Sequence, residues 1–178
     1  MTEVLSDALK QRLQSIRLAV FDVDGVLTDG SLYFLPDGQE VKAFNTLDGL
    51  GLKLLQKAGI KTAIITGRSS SQVSMRAKAL GVNWLIQGRE DKLAALEEIW
   101  QESGDSAATT AYIGDDLPDL AAIITVAFGV SVPNGHPVVC KEADWCTSRR
   151  GGTGAAREFC EVLLSAQGKL SGLIEEFR

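Results

Sequence analysis

The sequence predicts an α/β domain, a doubly wound parallel sheet of Rossmann-like type with one small β-hairpin inserted near its start. Short apolar runs recur along the chain without strict apolar–polar alternation, as strands covered on both faces require. Between them, apolar residues return at helical spacing. Strand–helix alternation of this kind favours a parallel sheet whose sites lie at the carboxyl ends of its strands. Three of the runs end in Asp, Thr or Gly, so polar chemistry is concentrated at those ends.

Val4, Leu5, Ala8, Leu9, Leu13 and Ile16 form the apolar stripe of an opening helix. Residues 17–21 read as a buried strand that stops at Asp22-Val23-Asp24-Gly25. Residues 29–44 break the rhythm, because the strand-prone segments 32–35 and 41–44 flank Pro36-Asp37-Gly38, a hairpin signal. Such a hairpin is a surface excursion, a flap over the site or a surface for association. Leu50, Leu54, Leu55 and Ala58 mark a helix stopped by Gly59, and residues 60–65 a second strand ending at Thr66-Gly67-Arg68. Val73, Ala77 and Leu80 align on a helix closed by Gly81, before a strand at 82–86. Leu93, Leu96, Ile99 and Trp100 define the next helix, followed by strands at 110–113 and 126–130. A last helix begins near Ala155 and carries Phe159, Val162, Leu163 and Ala166.

A length of 178 residues, 45% of them hydrophobic and 23% charged, suits one globular unit over residues 1–178, with no repeat or linker. Lys and Arg number 18 against 23 Asp and Glu, and the net charge of −5 excludes wholesale coating of nucleic acid. No run approaches the ~18 apolar residues of a membrane span. The amino terminus lacks the apolar block of a signal peptide. Cys140, Cys146 and Cys160 are an odd, sparse set without metal-ligand spacing, and a disulfide framework is not expected. A cytoplasmic protein with neither a nucleic-acid nor a membrane partner is expected.

Two carboxylates two residues apart, Asp22 and Asp24, can converge on one cation in a loop tight enough to need Gly25. It is not an EF-hand, which would carry a further ligand and a closing glutamate. Gly114-Asp115-Asp116-Leu117-Pro118-Asp119 ends a second apolar strand. Carboxylates brought together repel unless a hard cation neutralises them, although Asp116 or Asp119 could instead cap the following helix. Thr66, the Gly67 amide and a helix start near Ser69 make an anion cradle without the Gly-Lys-Ser/Thr of a Walker loop. Lys92 opens a helix and gains interest only from the other three groups.

In this order the four motifs resemble the haloacid dehalogenase-like phosphatase superfamily over most of the chain. The resemblance implies Asp22 as nucleophile and Asp24 as general acid/base. It implies phosphoryl binding by Thr66 and Gly67, with Lys92 countering the charge, and Mg²⁺ held by Asp22, Asp115 and the Asp24 carbonyl. Only the stretch between Asp24 and Thr66 could hold a cap domain, and the hairpin and one helix fill it. Through residues 22–30, 48–51, 66–68, 114–119 and 150–158, the capless chain is similar to the 3-deoxy-D-manno-octulosonate 8-phosphate phosphatase family.

That resemblance implies a Mg²⁺-dependent phosphomonoesterase of lipopolysaccharide sugar synthesis, acting on a keto-acid sugar phosphate through an aspartyl-phosphate. It also implies a homotetramer joined through the hairpins, and a flexible segment at about 149–178. Within that segment the glycine-rich residues 149–154 either close over an adjoining site or cap the last helix. Arg68 and Arg76 are expected to fork onto the carboxylate and phosphate of the substrate. Asp48 would accept sugar hydroxyls or cap a helix, and His136 is expected to be structural. A nine-carbon sialic-acid-like substrate and a non-catalytic assembly module on the same fold are the rival readings.

Overall fold

Four consecutive apolar residues, 18–21, set the centre of the molecule, because their side chains alternate between two separate cores. Leu18 and Val20 belong to one, Ala19 and Phe21 to the other. The computed structural model describes residues 7–178, so Val4 and Leu5 of the expected opening helix lie outside the described residues. In chain order the elements are α1 (Asp7–Gln14), β1 (Leu18–Phe21), β2 (Tyr33–Phe34), β3 (Glu40–Val41), α2 (Thr46–Lys57) and β4 (Lys61–Thr66). Then come α3 (Ser71–Leu80), β5 (Trp84–Gln87), α4 (Lys92–Ser103), β6 (Thr110–Ile113), α5 (Leu120–Thr125) and β7 (Phe128–Ser131). The chain ends with α6 (Pro137–Glu142), β8 (Trp145–Cys146), α7 (Ala155–Ala166) and α8 (Leu170–Glu175).

Six strands pair in parallel in the order β5–β4–β1–β6–β7–β8. The core containing Phe21 is closed by α1, α2, α3, α7 and α8, and the core containing Val20 by α4, α5 and α6. Strand order reverses around β1, whose neighbours are β4 and β6, and the crevice beyond their carboxyl ends is where such sheets bind ligands. Helix ends follow local chemistry. Asn45 and Ser70 accept amide hydrogen bonds at the starts of α2 and α3, and Gly81 closes α3 in the left-handed region at φ +70°.

The six-stranded α/β architecture agrees with the sequence reading, but several elements were not expected from it. β8, α5, α6 and α8 are two to six residues long, too short for a periodic signature. The hairpin is shorter than expected, with two residues per strand and pairs Tyr33–Val41 and Phe34–Glu40. Residues 42–44 leave the ladder because Lys42 turns toward Asp24 and Phe44 packs on the core. Residues 149–178, expected as a flexible segment, contain two helices, and α7 buries eight residues, among them Phe159, Leu163 and Leu164.

Phe159 meets Phe21 edge-on at 5.4 Å and stacks on Phe128 at 6.1 Å, joining α7 to β1 and β7. Phe159→Ala should therefore cost about 3–5 kcal/mol in urea unfolding, whereas Phe177→Ala at the exposed carboxyl end should stay within ~0.5 kcal/mol.

Candidate active site

The expected groups meet where the topology puts them. Asp22 follows the last residue of β1, Thr66 ends β4, Lys92 begins α4 and Asp115 lies two residues beyond β6. A cleft of about 310 Å³ is lined by Asp22, Asp24, Thr66, Gly67, Arg68 and Lys92, and also by Asp115 and Asp119. The Asp22 amide donates to the Ile113 carbonyl at 3.0 Å, so the sheet ladder runs into the first residue of the site.

Asp119 organises the acidic side of the cleft. Its Oδ1 accepts from Lys92 Nζ and from the Tyr112 hydroxyl, both at 2.7 Å, while Oδ2 accepts from the Asp115 and Asp116 amides at 3.2 Å. Both oxygens of this buried carboxylate thus have hydrogen-bond donors, as burial requires. It holds Lys92 so that Nζ also lies 2.8 Å from Asp22 Oδ1. The glycine of the second motif follows from this fold-back, since a Cβ at Gly114 would sit 2.4 Å from Asp119 Cγ. Asp116 takes the capping role, accepting from the Leu117 amide at 2.8 Å.

Carboxylate oxygens of Asp22, Asp115 and Asp119 lie within 4.8 Å of one another. Lys92 alone does not balance them. Burial, then the Asp119 charge, push the Asp22 carboxyl well above its ordinary range against the pull of Lys92. Burial and Asp119 likewise lift Asp115 to about 6. Burial opposes the Lys92 charge, but Asp22 and Asp119 outweigh it and hold its pKa up. A cluster of hard oxygen donors with more negative charge than its lysine neutralises suits Mg²⁺ or a similar cation. The Asp24 carboxylate stands outside this trio and is paired with Lys42.

Gly25 adopts φ +90°, and a Cβ there would lie 2.0 Å from Asp115 Oδ2, so only glycine lets the Asp22 loop pass the second acidic turn. Asn134 clasps the same loop: its Nδ2 donates to the Gly25 carbonyl at 2.9 Å and its Oδ1 accepts from the Gly151 amide at 2.8 Å. The Gly152 amide adds a bond to the Val26 carbonyl at 2.9 Å. The glycine-rich segment thus braces the Asp22-bearing loop of its own chain.

Two expected substrate contacts do not line this cleft. Asp48 is buried between α2 and α7, and its Oδ1 accepts from the Arg157 amide at 2.8 Å. Gly154, which precedes α7, has no side chain to serve that helix, and Asp48 supplies the acceptor instead. Burial raises its pKa despite the amide hydrogen bonds. Arg76 bonds the Asn45 carbonyl at 3.3 Å and lies over the Phe44 ring at 5.9 Å. Arg68 does line the cleft, with Nη2 2.8 Å from Glu40 Oε2. His136 is structural as expected, its Nδ1 accepting from the Val138 amide at 3.2 Å at the start of α6. Sequence reasoning missed Glu40, Lys42, Tyr112 and Asn134, which local patterns leave among ordinary polar or core residues. Asp119 stood in the second acidic motif, as cluster member or helix cap, but its hold on Lys92 and Tyr112 had no local signal.

No protein-family model matches the chain. The chain is 42% identical over 168 residues to the 3-deoxy-D-manno-octulosonate 8-phosphate phosphatase of Yersinia pestis, covering 94% of this chain and 90% of that protein. A probable yrbi family phosphatase from Pseudomonas syringae superposes with TM-score 0.94 at 52% identity, covering 97% of this chain and 98% of that one. The 3-deoxy-D-manno-octulosonate 8-phosphate phosphatase of Moraxella catarrhalis, in complex with magnesium ion, phosphate ion and KDO, superposes with TM-score 0.94 at 46% identity. That match covers 96% of this chain and 98% of the other.

The raised Asp115 pKa fixes the sign of a pH effect. Its neutral form is the one the metal-free fold favours, so that stabilisation is complete below the ordinary value of 3.8 and lost as pH rises through about 6. In EDTA, Asp115→Asn should raise the melting temperature at about pH 8 and leave it unchanged at about pH 3. Thermal unfolding at the two pH values measures it, with added Mg²⁺ expected to stabilise the parent at the higher pH and the variant much less.

Proposed function

The chain belongs to the 3-deoxy-D-manno-octulosonate 8-phosphate phosphatase family of the haloacid dehalogenase superfamily, and we propose that it hydrolyses that keto-acid sugar phosphate to the free sugar acid and phosphate. It is a hydrolase of phosphoric monoesters and uses Mg²⁺. The observation that carries the reading is the contact of Asp22 with Lys92 beside Asp115, in a cleft whose wall Thr66 and Gly67 also line.

The chemistry follows from those residues. Asp22 attacks phosphorus and carries the phosphoryl group as an aspartyl-phosphate, which water then cleaves. Lys92, fixed by Asp119, offsets the charge of the transferring oxygens, and Thr66 and the Gly67 amide hold them. Asp24 protonates the departing alkoxide and afterwards takes the proton of the attacking water. Bound Mg²⁺, held by Asp22, Asp115 and the Asp24 carbonyl, supplies the remaining neutralisation of the carboxylate–phosphate approach. Arg68 stands at the rim, pairing with Glu40 through Nη2 and keeping its other N–H groups for an anionic group of the substrate.

The hairpin supports assembly. Leu32, Tyr33, Phe34, Leu35 and Val41 are exposed, with Phe34 at 62%, and such an apolar two-stranded ribbon needs a cover. Four copies meet through it in this reading. No helix among the described residues is long and apolar enough to cross a membrane. The free thiols Cys140, Cys146 and Cys160 support a reducing, cytoplasmic setting.

Asp22→Asn should lower turnover at least ~1,000-fold while leaving folding and assembly intact, and substantial residual phosphate release would remove Asp22 as nucleophile. In a phosphate-release comparison of eight- and nine-carbon keto-acid phosphates with Mg²⁺, the eight-carbon substrate should lead in kcat/KM. Light scattering should report a tetramer that Phe34→Glu dissociates; a monomeric parent would end the assembly reading.

A further inference from the structure

Asp24 has one side-chain partner among the described residues, and that partner comes from the hairpin. Lys42 lies just beyond β3, its side chain is 1% exposed, and its ammonium ion-pairs with Asp24 while standing 2.8 Å from Glu40 Oε1. Glu40 is itself anchored twice: Oε2 pairs with Arg68 Nη2 at 2.8 Å, and its carbonyl accepts from Gln72 Nε2 of α3 at 2.8 Å. An ammonium withdrawn from water is costly unless carboxylates surround it, so the two acids and the lysine hold one arrangement together. The Asp24 side chain is 22% exposed and borders the cleft, and Lys42 makes its one side-chain ion pair, with the Arg68 charge acting on it as well.

We infer that Lys42 is a positioning residue for Asp24, aiming its carboxyl group at the leaving-group oxygen, with Glu40 holding Lys42 in turn. The inference rests on the reading of Asp24 as general acid. Proton delivery requires a donor within hydrogen-bond reach and correctly oriented, and a carboxyl group free to swing meets the leaving oxygen only part of the time. Lys42 makes no bond to the substrate in this scheme. Its effect on kcat/KM, which excludes the later attack of water, therefore appears only where the leaving group needs a proton.

The test is kcat/KM with Mg²⁺ across aryl phosphates whose leaving groups run from dinitrophenolate to unsubstituted phenolate, for Lys42→Met, Lys42→Arg, Glu40→Gln and Asp24→Asn. This constant reports the steps up to transfer onto Asp22, and aryl substrates remove any contact to the sugar. Lys42→Met should lose ~10- to ~100-fold on phenyl phosphate and less than ~3-fold on the dinitrophenyl ester, with Asp24→Asn following the same slope more steeply. Lys42→Arg should recover most of the loss, and Glu40→Gln should fall between parent and Lys42→Met. If Asp24→Asn shows the leaving-group dependence and both Lys42→Met and Glu40→Gln lose activity uniformly or not at all, the assignment of Lys42 is overturned. If Asp24→Asn itself shows none, the reading of Asp24 falls and this inference with it. Glu40→Gln keeps the test decisive should Lys42→Met fail to fold.

Discussion

Lys92 can stand against Asp22 because Asp119 fixes it from beneath. The Asp119 carboxylate accepts two backbone amides, a buried phenol and the ammonium, so no part of it is left to move. That rigidity has an electrostatic cost: buried Asp22 and half-buried Asp115 face a further negative charge where water screens them only in part. The site is thus assembled under repulsion that bound cation and substrate phosphate chemistry can use. A surplus of negative charge built into the protein, rather than close packing around a ligand, is what suits this side of the cleft to a divalent cation.

The hairpin has two faces with different duties. Its apolar side chains, Phe34 above all, are open to association, while Glu40 and the adjoining Lys42 turn inward to Arg68 and Asp24. An insertion of this kind brings polar groups to Asp24 and Arg68, at the border of the cleft, without adding a second core. In the proposed reading, assembly and catalysis share this one short ribbon.

The fold was legible wherever an element was long enough to show a period. Residues 18–21, 63–65 and 111–113 are continuous apolar runs because helices cover both faces, and α2, α3, α4 and α7 repeat their buried residues every turn. Strand-end motifs were legible for a related reason: Asp22, Thr66 and Asp115 interrupt hydrophobic runs abruptly. What stayed hidden was long-range pairing. Nothing near Lys42 announces Asp24, and nothing near Asp48 announces the amide of Arg157, 109 residues away. Asp48 and Arg76 have the composition of a sugar-acid site, and only their three-dimensional neighbours reveal that they serve a helix end and a backbone carbonyl.

The Asn134 clasp has a consequence for how the molecule matures. The shape of residues 22–30 depends on the Asn134 side chain and the Gly151 and Gly152 backbone, more than a hundred positions downstream. During synthesis the acidic loop therefore emerges more than a hundred residues ahead of its last brace. A product truncated before Asn134 would carry the acids of that loop without the hydrogen bonds that hold its shape.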